Sequence, residues 1–169
     1  MATTARTTFE PRLRLALLIA VTVLAGDPAQ AAGTTESQVR ALLAAQERSW
    51  NAGALDAYFA TFRADAVFTD QYRTPAGQIV PYGSSRLPEA QAQARKFRAA
   101  SKASEKAEVV SIALGPDGRS AQVTSRVVSR TQGANGLRVT CAERRQDLVL
   151  AAGRLRSKGA IDTFSRCPR

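Results

Sequence analysis

Histidine is absent from all 169 residues. That absence removes every Ser-His and Cys-His nucleophilic arrangement and the commonest general base near neutral pH. Cysteine is scarce as well. Cys141 and Cys167 are the only two, too far apart in sequence for zinc-ligand spacing, so neither a metal nor a cofactor is expected. No apolar run reaches the ~18 residues that span a bilayer. Acidic residues are the minority, 14 Asp and Glu against 24 Lys and Arg, for a formal charge of +10. The basic residues are dispersed and lack interleaved aromatics on which bases stack. Nucleic acid is therefore not an expected partner. The basic charge suggests anionic neighbours, but a solvated face with no specific role is the preferred reading.

What is present begins with a leader. Arg6, Arg12 and Arg14 precede the short apolar run Leu15 to Gly26 (LALLIAVTVLAG), and Ala29-Gln30-Ala31 supplies a small-x-small cleavage pattern. This combination reads as a secretory signal peptide. Residues 1–31 are expected to be removed, leaving 32–169 as one domain in the periplasm or outside the cell. An even pair of cysteines in an oxidising compartment implies a Cys141–Cys167 disulfide. Simple hairpin register places Cys141 opposite about Phe164, so a bulge or a curl at 165–168 is needed to bring the Cα atoms within ~7 Å.

Thr35 and Gln38 form a capping-box pattern that opens a helix, with Val39, Leu42, Leu43, Gln46 and Trp50 on one face. Asn51-Ala-Gly53 ends it. A short second helix is predicted from Leu55 to about Phe62, then a strand over Ala66–Asp70. Residues 71–86, with Pro75, Gly77, Pro81 and Gly83, read as an irregular loop. Pro88 suits the first turn of a third helix running to about Lys102. From Glu108 the period falls to 2. Gly115-Pro-Asp-Gly118, Ala134-Asn-Gly136 and Ala152-Gly153 separate the strands of an antiparallel meander. Helices followed by such a meander give an α+β domain whose sheet the helices must cover.

Two stretches, Gln46-Glu-Arg-Ser-Trp-Asn-Ala-Gly-Ala-Leu-Asp56 and Phe62-Arg-Ala-Asp-Ala-Val-Phe-Thr-Asp70, resemble the opening of the NTF2-like superfamily, in particular its SnoaL-like and ketosteroid-isomerase-like branch. The resemblance implies a cone, a curved antiparallel sheet wrapped around three N-terminal helices with a pocket at its open end. In the isomerase pattern the general base ends the first strand, where Asp70 stands. The pattern's tyrosine donor falls on Gln46, and its protonated aspartic acid falls near Arg145. One of three roles thus survives unchanged.

Independently of the resemblance, Gln46 lies on an otherwise apolar stripe, and Glu143 to Asp147 put polar groups on both faces of a predicted strand. Gln46, Asp70 and Arg145 are expected to converge on one wet cavity, with Arg145 lowering the Asp70 pKa. Trp50 and Tyr58 are core or ligand contacts, and Tyr72 and Tyr82 lie in the loop that would cover such a pocket. Three readings stand together. The first is a binding or accessory module for a small apolar or amphipathic molecule or another exported protein. The second is a lyase or isomerase using Asp70 as base. The third is a homodimeric assembly domain joined through the outer sheet face. The leader carries its own test: intact mass of exported protein should correspond to an N-terminus at Ala32, and a species keeping residues 1–31 would overturn the export reading.

Overall fold

The computed structural model describes residues 33–167, so the leader and its cleavage point lie outside the described residues. Helix α1 (Glu36–Asn51) opens on the expected capping box. The Gln38 N–H donates to Thr35 Oγ1 at 3.2 Å, and the Thr35 N–H donates to Gln38 Oε1 at 2.9 Å. Two of the orphan donors of the first turn are satisfied in this way. After α2 (Leu55–Phe59) come β1 (Phe62–Arg73), β2 (Ile79–Arg86), α3 (Leu87–Ala100), β3 (Lys102–Leu114), β4 (Ser120–Gly133), β5 (Gly136–Ala151) and β6 (Arg154–Ser165). The third helix is thus inserted after two strands. Among the described residues no helix is long and apolar enough to cross a membrane.

The six strands form one curved sheet in the order β2-β1-β6-β5-β4-β3. It is mixed, because β1 and β6 pair in parallel while all other neighbours are antiparallel. The all-antiparallel expectation is corrected here. Helix α3 carries the chain from β2 to the far edge, and a four-stranded meander returning from there delivers β6 beside β1 in the same direction. The meander itself follows the sequence: β4 and β5 turn between Gly133 and Gly136, and β5 and β6 turn at Ala152-Gly153. Both residues of the latter turn have positive φ, as a two-residue hairpin of matching twist requires.

Residues 79–86 are an edge strand instead of part of a loop. Pro81 is tolerated there because an edge strand leaves some N–H positions unpaired. Asp70 pairs with Gly83 but Gln71 pairs with Pro81, so Tyr82 is the extra residue of a β-bulge. Likewise 102–107 belong to β3, since Ala103, Glu105, Ala107 and Val109 continue the alternation backward and the helix stops at Ala100.

Two buried clusters hold the helices to the sheet. Tyr58, Phe59, Phe62, Ala66 and Ala94 join α2, α3 and β1. Val39 of α1 packs with Ala121, Val123 and Leu148 of β4 and β5. Cys141 and Cys167 are bonded, with Cα atoms 5.1 Å apart. Cys141 pairs with Ser165, one residue beyond the simple register, which leaves Cys167 two residues past the position opposite its disulfide partner.

Gly159 makes the parallel junction feasible. Its φ is +136°, and a Cβ there would stand 1.7 Å from the Val67 carbonyl oxygen. Val67 is its register partner, so the clash is with backbone. Gly159→Ala should therefore cost more than ~2 kcal/mol in urea unfolding. Gly77→Ala, at φ +85° with nothing within 4 Å of a Cβ, should show only the strain of the left-handed region, about 1–2 kcal/mol. Equal losses at the two positions would refute the steric argument.

Candidate functional site

The helices and the concave face of the sheet line an open-mouthed cavity of about 900 Å³. Trp50 comes from the end of α1, Tyr58 and Phe59 from α2, and Phe97 from α3. Phe68 and Tyr72 on β1, Tyr82 on β2 and Phe164 on β6 complete the aromatic wall. Eight of the chain's ten aromatic residues meet here, so most of its aromatic surface is committed to one place. Trp50 and Tyr58 are tilted with centroids 5.2 Å apart, Trp50 and Phe97 stack at 6.3 Å, and the Arg98 guanidinium sits 5.7 Å above the indole. Such contacts fix the rings in place.

Arg144 on β5 organises the polar floor. Its Nε and Nη2 donate to the two carboxylate oxygens of Asp162 on β6, each at 2.7 Å. Nη1 donates to Glu105 Oε1 and Nη2 to Oε2 of the same carboxylate, on β3. Ser129 Oγ on β4 donates to Glu105 Oε2 at 3.2 Å. All three charged side chains are at most 15% exposed. Burial works against the Arg144 charge, but Asp162 and Glu105 outweigh it and push its pKa well above the ordinary value. Burial likewise raises the Tyr58 pKa. Arg144 opposes that shift and the two carboxylates reinforce it, so the phenol keeps its proton.

Asp70 also lines the cavity, from β1 beside Asp162 in register. Among the described residues it makes no ion pair or side-chain hydrogen bond. Partial desolvation raises its pKa, Asp162 raises it further, and Arg144 pulls the other way. The expected lowering by Arg145 is therefore overturned. Arg145 is exposed and faces away from the cavity, because strand alternation sends Ala142, Arg144, Gln146 and Leu148 inward. A one-residue difference in position flips a side chain to the opposite face. Gln46 is also outside the cavity. It is buried, and its Nε2 donates to Thr61 Oγ1 at 3.0 Å, while that hydroxyl donates to the Tyr58 carbonyl at 2.6 Å. It ties α1 to the turn between α2 and β1.

Of the residues singled out from sequence, the cavity thus brings together Asp70, Trp50, Tyr58, Tyr72 and Tyr82, but neither Gln46 nor Arg145. Arg144, Glu105, Asp162 and Phe164 were not singled out. The alternation itself held the signal, since 143, 145 and 147 are all charged and form the natural solvent face, leaving Arg144 with Ala142 and Leu148. Among the described residues no three His, Cys, Asp or Glu side chains are grouped to hold a metal.

No family model matches the chain, and no curated protein does. Solved structures do. A putative aromatic-ring-hydroxylating dioxygenase β subunit from Novosphingobium aromaticivorans superposes with a TM-score of 0.62 at 16% identity, over 78% of this chain and 90% of that one. An NTF-2-like protein from Shewanella oneidensis gives 0.55 at 18% identity, over 75% and 97%. The fold is NTF2-like. A ketosteroid isomerase-like protein from Erwinia carotovora atroseptica gives 0.59 at 12% identity, over 78% and 96%. At these identities the NTF2-like likeness is one of fold alone, and residue roles rest on the geometry above.

Arg144 and Arg145 provide an internal control. Arg144→Met leaves Glu105 and Asp162 without their cation and should cost about 3–5 kcal/mol at neutral pH. The deficit should shrink as pH falls, because protonating either carboxylate removes uncompensated charge. Arg145→Met should stay within ~0.5 kcal/mol. Chemical denaturation of both variants at two pH values checks this, and equal losses would refute the assignment.

Proposed function

We propose that this chain is an exported ligand-binding module, cleaved near Ala31 to leave 32–169 as the working NTF2-like domain. In this reading the helices plug the cone and its cavity takes a small apolar or amphipathic molecule. The single observation that carries the reading is the concentration of aromatic rings around one cavity of about 900 Å³. Ligand pockets are concave, mostly apolar and lined by a few placed polar groups. Trp50, Tyr58 and Tyr72 would contact the ligand body and Asp70 its polar end. The disulfide between Cys141 and Cys167 fits an oxidising compartment.

Binding ranks above proton transfer because Arg144 is already committed to two carboxylates and is not free to stabilise a developing oxyanion. One observation favours the second reading, a lyase or isomerase with Asp70 as general base. Its raised pKa brings it closer to the working range of a base, and the protonated Tyr58 is a candidate donor. An enolisable ketone such as acetonaphthone separates the two. Asp70-dependent deuterium incorporation beside its carbonyl would favour catalysis, and binding without exchange would favour the module.

Trp50 is the only tryptophan in the chain and lines the cavity, so its fluorescence reports occupancy. Titration with naphthol should give a saturable change that Ala142→Phe, which adds a ring to the cavity wall, weakens at least tenfold. An unchanged response in that variant would place binding elsewhere and sink the proposal.

A further inference from the structure

Asp70 sits within an aromatic surround. Tyr72 lies two residues along the same face of β1 and pairs in register with Phe164 of β6. Tyr82, turned by the bulge in β2, has its ring centroid 6.2 Å from Tyr72 and 6.2 Å from Phe164. Gly83 is the cross-strand partner of Asp70, and a Cβ there would lie 3.7 Å from the carboxylate Oδ2. The glycine therefore leaves open the space beside the carboxylate that any other residue would begin to fill.

The charges nearby select the sign of a guest. Three carboxylates, Asp70, Asp162 and Glu105, line the cavity, and the guanidinium among them, Arg144, is held by the latter two. Arg138 and Arg166 line it from exposed positions, and Arg138 acts on Tyr82. A guest carboxylate at Asp70 would meet like charge, while the cavity's guanidiniums outside the ion-pair network, Arg138 and Arg166, stand at exposed positions. A guest cation would meet an uncommitted carboxylate and three neighbouring aromatic rings, whose faces attract cations.

We propose that Tyr72, Tyr82 and Phe164, set around the uncommitted carboxylate of Asp70, form a cage for the ammonium head of a small organic cation whose apolar body occupies the aromatic cavity. This rests on the reading of the cavity as a ligand site and names the class of ligand. The rings act on the cation through their quadrupoles and Asp70 through its charge. The neighbouring groups matter to any pH dependence: Asp162 and Arg144 from β6 and β5, and Tyr82 from β2. Their balance raises the carboxyl pKa of Asp70.

The test is calorimetric titration of the exported protein with three probes of one shape class: benzyltrimethylammonium, its neutral carbon isostere neopentylbenzene, and benzoate. The cation should bind at least tenfold more tightly than either of the others. In Asp70→Asn and Tyr82→Ala the ratio of cation to isostere affinity should fall toward one. Gly83→Val, which fills the space without changing charge, should weaken the cation at least tenfold. Cation affinity should decline as pH falls through the Asp70 pKa, because only the ionised carboxylate attracts the guest. The decline should begin at a higher pH than an ordinary aspartate would give. Equal affinity for cation and isostere overturns the cage while leaving the cavity as a ligand site, and so does preference for benzoate. Failure of all three probes to bind removes both the cage and the binding reading.

Discussion

Arg144 is the constraint around which the cavity is built. A guanidinium removed from water needs its charge and its donors satisfied, and here the partners come from strands on either side of it. Asp162 belongs to the adjacent strand β6, while Glu105 reaches across β4 from the edge strand β3, braced by Ser129. The network therefore ties four strands to one another on the face that lines the cavity. Other cavity features depend on it. The Tyr58 phenol stays protonated beside it, and Asp70 feels both the attraction of the guanidinium and the repulsion of Asp162. Because Arg144 is committed to Glu105 and Asp162, Asp70 is left as the cavity carboxylate without an ion-pair partner among the described residues.

Two irregularities in the sheet shape the rest. The bulge opposite Asp70 swings Tyr82 into position, and the register of β1 against β6 breaks between the Phe62–Ser157 and Val67–Gly159 pairs. Bulges re-aim side chains at the expense of ladder hydrogen bonds. One lies between β2 and the strand that carries Asp70, the other between that strand and the one that carries Asp162, so the polar end of the cavity is flanked by deviations from regular pairing.

The element order was largely legible in the sequence because it rests on local signals. The Thr35–Gln38 cap, the apolar stripe of α1, Pro88 at the start of α3 and the turns at 134–136 and 152–153 all act within a few residues. The β2 strand was not legible, because its prolines and glycines carry turn chemistry, and only pairing with β1 makes an edge strand of them. The parallel β1–β6 contact is likewise a product of topology. The site was half legible. Asp70 and the aromatics announced themselves by type and place. Gln46 violated the apolar stripe for a reason outside its own helix, the Thr61 hydroxyl. The choice between Arg144 and Arg145 turned on strand parity, which a gapless count through a family pattern does not preserve, although the charged residues at 143, 145 and 147 did encode it.

The parallel pairing of β1 with β6 also has a kinetic meaning. Gln71 on β1 donates a hydrogen bond to Thr163 on β6, 92 residues later. The second edge of β1 has its partner only in β6, the last strand of the chain order, so it stays unpaired until the whole meander exists. Contacts of such sequence separation slow folding, since loop closure precedes any reward. The β1–β6 seam is thus the last of the sheet to close. The same seam carries Asp70 beside Asp162, so the cavity is complete only with the final strand.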